Sequence, residues 1–369
     1  MKLEADVCIV GGGPGGALLG YLLAKKGITT IVLERHTGID KEFRGEHLNQ
    51  DGERVLKKYN LYNKVQDAGL LLMERIEYWQ HGHVIKTVTP AAGEEHVGIH
   101  VPQKNLLSVL IRESKTYQNY KLLMGTKVTE LSFNNNGDVT GLKATKGDQE
   151  VTIKSKIVVG ADGRFSTVRR LAEIPFSTIK HGYDLLWAKI PSPEGWEPTI
   201  KNALIGGKQL ALFTQQGGFI QIGWNIEEDS YPVLKKESFA PFIEQVIEAF
   251  PELTETVHQH IQSWNDFILL KVQSSQSPVW AKDGVVIMGD AAHTMSPTGA
   301  FGINCAILDA DALADIIEEA LDKNDRSAAQ LRKLEDARRA DAEKLQMQQL
   351  IKERTYQDNF KIPALPTGV

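Results

Sequence analysis

The residues best suited to chemistry come early in the chain. Gly11-Gly12-Gly13-Pro14-Gly15-Gly16 stands between an apolar run of strand type, Ala5 to Val10, and a run of helical type, Ala17 to Lys26. A G-x-G-x-x-G loop in that setting is built for a pyrophosphate. Gly11 permits the sharp turn, Gly13 lets the backbone approach the phosphates, and Gly16 lets the helix pack closely on the strand. The helix start at Pro14 and Gly15 favours negative charge through its free N–H groups and its dipole. A second strand, Thr30 to Leu33, runs into Glu34. A carboxylate there can accept ribose hydroxyls and repels a 2′-phosphate. Strand, helix and acid in register predict a bound dinucleotide.

Two further motifs repeat the strand-to-turn pattern. Ile157 to Val159 leads into Gly160-Ala161-Asp162-Gly163, with Ser166 opening a helix. Val285 to Met288 leads into Gly289-Asp290-Ala291-Ala292-His293, and Pro297-Thr298-Gly299-Ala300-Phe301-Gly302-Ile303-Asn304 then enters a long helix. This chemistry suits a flavin. Asp290 can hold ribityl hydroxyls, and the N–H groups around Gly302, Ile303 and Asn304 can point at N1 and O2, where the reduced ring carries negative charge. His293 is expected to shape its loop.

The constellation resembles the class A flavin-dependent aromatic hydroxylases, the p-hydroxybenzoate hydroxylase family. The likeness covers nearly the whole chain through its three fingerprints: Gly11/Gly13/Gly16 with Glu34, Asp162-Gly163, and Gly289-Asp290. It implies an α/β fold, with a Rossmann-like FAD-binding domain of the p-hydroxybenzoate hydroxylase type, an inserted β-sheet substrate domain and C-terminal helices. It implies non-covalent FAD, with NADPH or NADH as co-substrate. The implied enzyme is an FAD-dependent monooxygenase that uses O2 to hydroxylate an aromatic or other electron-rich small molecule through a flavin C4a-hydroperoxide.

Site residues carry over by position. Asp162 and Gly163 would serve both FAD and NAD(P)H, Arg44 and Arg35 would contact the cofactor, and Gln103 would support it from a helix start. Pro297 would lie beside the ring and the substrate, at the catalytic centre. His47 would face the ring or substrate as a base or hydrogen-bond partner. Phe301 departs from the family, which usually has a polar residue there. The W-x-W-x-I-P of tryptophan halogenases is absent, since the nearest stretch reads Gly223-Trp224-Asn225-Ile226. The alternatives are a geranylgeranyl-reductase-like or halogenase-like flavoenzyme, and a non-catalytic flavin-binding sensor.

The elements that must position these residues follow from periodicity. The expected FAD-binding domain is discontinuous, made of residues 1–74, 98–180 and 272–325. Residues 75–97 and 181–271 are expected to form the substrate sheet, and 326–369 a C-terminal helical segment. The pocket is expected where the two domains meet. Trp187, Phe213 and Trp224 fall on strands of the substrate sheet and could stack on a ring substrate. No arginine occurs between Arg170 and Arg326, so a planar bidentate partner for a substrate carboxylate is missing there. Lys189, Lys201 and Lys208 remain as point charges. In the last helix Glu335, Asp336, Arg338 and Arg339 are expected on a solvated face, with Leu331, Leu334, Leu345 and Leu350 packing inward.

At 369 residues the chain can bury a large core, and its net charge of −5 argues against a nucleic-acid partner. The widely separated Cys8 and Cys305 suggest neither a disulfide framework nor a metal site. His81 with His83, and His258 with His260, lack the partners that would complete a ligand set, so no metal is expected. Met1 leads almost directly into the first strand, and no apolar run is long enough to span a membrane. A cytoplasmic monomer or homodimer is the expectation.

Overall fold

In a computed structural model, residues 1–40 and 46–361 are described, so Arg44 lies outside the described residues. The chain divides into two compact units. The first takes Met1–Gly69, Val101–Ile179 and Gln273–Met347. The second takes Leu70–His100, Lys180–Val272 and, of the described residues, 348–361.

In the first unit, a central sheet runs in the order Ala281–Lys282, Val285–Ile287, Gln149–Gly160, Lys2–Val10, Thr30–Glu34, Tyr120–Met124. All neighbours from Val285–Ile287 onward are parallel. Val7, Cys8, Ile9 and Val10 make a near-continuous buried run, as a strand covered on both faces requires. The Gln149–Gly160 strand also pairs antiparallel with Val139–Lys146, which pairs with Thr126–Phe133. Helix Pro14–Lys25 packs against helix Phe301–Asp322 through Gly15, where an added Cβ would stand 2.9 Å from the Ala306 carbonyl oxygen.

In the second unit, a sheet runs Ile268–Gln276, Ser177–Pro191, Phe219–Glu227, Lys208–Gln215, Thr199–Ile205, Arg75–Gln80, His83–Val88. Alternation gives it two different faces. Leu186, Ala188, Ile190, Leu210, Leu212, Ile220, Ile222 and Trp224 pack with residues of the helices Ala240–Ala249 and Thr254–His260 in one core. Tyr183, Leu185 and Trp187 point to the opposite face, beside Leu270 and Val272. No helix among the described residues is long and apolar enough to cross a membrane.

The last long helix, Lys333–Arg354, corrects one expectation. Leu331 and Leu334 are buried as expected, but Arg338 is buried too. Arg339 lies over the Trp280 ring at 5.4 Å, and Glu335 accepts the Trp280 N–H at 2.8 Å. Arg339 and Glu335 tie the helix to the loop at 277–280, Arg338 is held by Asp309, and of the four charged residues expected on a solvated face Asp336 is the exposed one. Both cysteines are buried. Burial pushes both thiols up, that of Cys305 to about 12, so they stay protonated at neutral pH.

Candidate functional site

The three fingerprints lie side by side because their strands do. Val10 pairs with Gly160 and Gly160 with Ile287, so the motifs leave the carboxyl ends of three adjacent parallel strands. That is where open α/β sheets bind ligands. Backbone bonds continue past the strands: Ala161 N–H donates to Val10 O at 2.8 Å and Met288 N–H to Gly160 O at 3.0 Å.

Each glycine of the first loop has a distinct reason. At Gly11, φ is +109° and a Cβ would lie 2.2 Å from the Ala161 carbonyl oxygen. At Gly16 a Cβ would lie 2.0 Å from Gly11 O. At Gly13 it would meet nothing within 4 Å. Gly11 and Gly16 are thus glycine for the fold, and Gly13 leaves open a cradle that a side chain would fill. A dinucleotide pyrophosphate fits this loop. Glu34, buried at the next strand end, accepts the Gly12 N–H at 3.0 Å on one oxygen and the His36 N–H at 2.9 Å on the other. The His36 ring also reaches Glu34, at 2.5 Å, a partner the sequence reading missed. Arg35 beside it is exposed.

Asp162 works chiefly on its own chain. Its carboxylate takes the Ser166 hydroxyl at 2.5 Å and the Thr167 and Val168 N–H groups at 2.6 and 3.1 Å, capping helix Thr167–Leu171. Burial pushes its carboxyl above the ordinary range, against those donors. Gly163 follows at φ +83° with open space where a Cβ would be. Arg169, unnoticed in the sequence, is buried and donates to Ala291 O at 2.7 Å, joining the second fingerprint to the third.

Asp290 sits in the tight turn Gly289–Ala291, where Gly289 has φ +56°. A Cβ built on Gly302 would stand 3.8 Å from Asp290 Oδ1, so this carboxylate lies at the start of the long helix. Pro297 and the turn Thr298–Ala300 lead into that helix, with Ala300 left-handed at φ 53°. Ile303 is half-buried in its first turn. Asn304 is buried, and its side chain donates to Ala300 O at 2.9 Å and His47 O at 3.2 Å and accepts the Asn49 N–H at 3.1 Å. That brings the backbone of His47 to the helix start. Gln103 is buried at its own helix start, its N–H donating to Glu46 at 2.9 Å.

The aromatic candidates divide. Trp187 lies flat across Gly223, whose added Cβ would come within 2.8 Å of the indole, and its ring is 6.1 Å from that of Phe213. Trp224 points the other way and stacks on Phe242 at 3.6 Å. It belongs to the helix-covered core, which corrects its expected place beside the other two. Sequence reading also missed Gln215 and Gln221, a buried amide pair hydrogen-bonded on the Phe213 face. Lys201 is buried between Trp79 and Trp196 and paired with Glu252 at 2.5 Å.

Residues 4–349 match the FAD binding domain family. The chain is 32% identical over 364 residues to 6-methylpretetramide 4-monooxygenase of Streptomyces rimosus, covering 98% of this chain and 86% of that protein. It is 26% identical to dialkyldecalin synthase of Streptomyces rugosporus, over 84% of this chain and 64% of that one. The fold is similar to that of PqsL, a probable FAD-dependent monooxygenase from Pseudomonas aeruginosa, with a TM-score of 0.83, 19% identity, and 97% and 98% of the two chains covered. The chain belongs to the FAD binding domain family and is an FAD-dependent monooxygenase of the aromatic hydroxylase type.

Proposed function

We propose that the protein hydroxylates a fused phenolic ring system that carries no carboxylate, using NAD(P)H and O2. Bound FAD would supply the redox chemistry, hydride acceptance from a nicotinamide and activation of dioxygen. The chain's own groups bind and orient. The open cradle at Gly13 takes the pyrophosphate, Glu34 a ribose, and Asp290 the ribityl hydroxyls. The N–H groups of Gly302, Ile303 and Asn304 stabilise negative charge on the reduced ring. Gln103, Gly163 and Arg35 border this site. Arg44 is assigned to it by the family likeness alone. His47 and Pro297 are proposed to stand at the reacting end, where the Asn304 side chain holds the His47 backbone.

The observation that carries the substrate class is the face shared by Trp187 and Phe213. It offers aromatic surface for stacking and the Gln215–Gln221 amides for hydroxyl groups. The S. rimosus relative is named for a pretetramide, which fits a large ring substrate. We assign substrate binding to the second unit and FAD to the first. Cys8 and Cys305, buried as thiols, suit a reducing cytoplasm.

The test is NAD(P)H oxidation and oxygen uptake with a panel of fused polyphenols. One O2 consumed per hydroxylated product is the expected result. Substrate reduction without oxygen uptake would make the protein a reductase. Tight FAD binding with no turnover on any ring compound would favour the sensor alternative.

A further inference from the structure

The turn that presents Asp290 is held from inside the protein by one carboxylate. Asp309 is completely buried on helix Phe301–Asp322. Its Oδ2 accepts the Gly289 N–H at 2.9 Å and faces His293 Nε2 at 2.6 Å, and its Oδ1 accepts Arg338 Nε at 3.1 Å. Arg338, also buried, reaches Asp341 at 2.7 Å with Nη1. The Trp280 ring covers the His293 imidazole, with centroids 4.8 Å apart. The turn also closes on itself. The Ala292 and His293 N–H groups donate to Gly289 O at 2.8 and 2.9 Å, and the Thr294 hydroxyl to Asp290 O at 2.9 Å.

This is a costly arrangement for stability alone. A carboxylate, a guanidinium and an imidazole have been taken out of water, where apolar residues of similar volume often serve as well or better. The cluster is not even fully satisfied: His293 Nδ1 and Arg338 Nη2 are buried without a hydrogen-bond partner. Burial pushes the Asp309 carboxyl up, but His293, Arg338 and the Gly289 N–H outweigh it and hold it below its ordinary value. What the cluster does provide is a fixed position for one backbone N–H, that of Gly289, where the chain takes φ +56° to swing Asp290 round.

We propose that Asp309, clamped by His293 and Arg338, is a positioning residue for the cofactor: it sets the Gly289–Asp290 turn so that the Asp290 carboxylate stands at the start of the long helix. The inference rests on the reading of Asp290 as a flavin ligand. It differs from a general stabilising role in one respect, since Asp309 acts on FAD only through Asp290.

A double-mutant cycle tests this. FAD dissociation constants are measured on the full-length apoprotein for wild type, Asp309→Asn, Asp290→Ala and the double variant, with the visible spectrum of each flavin complex. Asn keeps the size of the side chain and removes the charge. Asp309→Asn is expected to weaken FAD binding about tenfold or more and to shift the bound flavin's absorption. In the Asp290→Ala background it should add no more than about twofold, because the two residues act as one unit. Losses that simply multiply, or an unchanged affinity in Asp309→Asn, overturn the proposal. If Asp309→Asn does not fold, His293→Gln replaces it in the same cycle, with the same outcomes deciding. A wild-type apoprotein that takes up no FAD overturns the flavin reading itself, and the proposal with it. Binding that is tight but multiplicative overturns the positioning role alone.

Discussion

Single glycines separate the fold from the cofactor. Gly16 has no room for a Cβ, which would lie 2.0 Å from a backbone oxygen, whereas Gly13 has nothing within 4 Å and a φ of −72° that any residue can adopt. Gly16→Ala should therefore destabilise the apoprotein by about 1–3 kcal/mol through overpacking. Gly13→Val should cost it no more than about 1 kcal/mol, the scale of a poorer helix-cap residue, yet abolish FAD binding. Urea unfolding of both apoproteins with parallel FAD titration checks the pair. Full flavin occupancy in Gly13→Val would mean that the pyrophosphate lies elsewhere. These roles were legible in the sequence because the spacing of G-x-G-x-x-G encodes them. Asp309, Arg169 and His36 were not. Each acts on a backbone or side-chain atom brought near by folding, and nothing in the local pattern around them marks such a contact.

At the scale of elements, the parallel strands read clearly because both their faces are apolar, while strands with polar residues pointing inward did not. Gln149–Gly160 is one strand, but the sequence breaks it at Lys154-Ser155-Lys156, where the inward residue is a serine that is 4% exposed. Ile268–Gln276 is likewise hard to read, since its buried positions mix Val272 with Ser274 and Ser275. The start of the long helix shows what pattern reading leaves out. Its backbone was legible as an anion-favouring terminus. The Asn304 side chain, which bridges it to 47–49, was not. Asn304→Ala removes the acceptor of the Asn49 N–H, so a loss of about 1–3 kcal/mol is expected, with faster hydrogen exchange at the Asn49 amide. A stability change within about 0.5 kcal/mol would show that water replaces the bridge without loss.

At the scale of the whole molecule, the family match spans both units, with FAD proposed for the first and the choice of substrate for the second. The sequence placed three aromatic residues on the substrate strands, but strand membership does not say which face a residue takes. A single step along Phe219–Glu227 puts Trp224 into the helix-covered core, beside Gly223, which lies under the Trp187 ring. The same resolution applies to charge. Of the three lysines that might have paired with a substrate carboxylate, Lys201 is already committed to Glu252 and two indoles. No arginine stands anywhere between Arg170 and Arg326, which spans four central strands of that sheet. A carboxylate on the Trp187–Phe213 face would thus be desolvated without a planar cation, a strongly disfavoured state. Matched phenols with and without a ring carboxylate should differ accordingly. The neutral member is expected to bind at least about tenfold tighter and to yield more product per NAD(P)H consumed. If the carboxylates bind tighter and couple better, the cation comes from Lys189 or Lys208. Replacing each with Met, while following the carboxylate's KM against that of its neutral partner, would identify which.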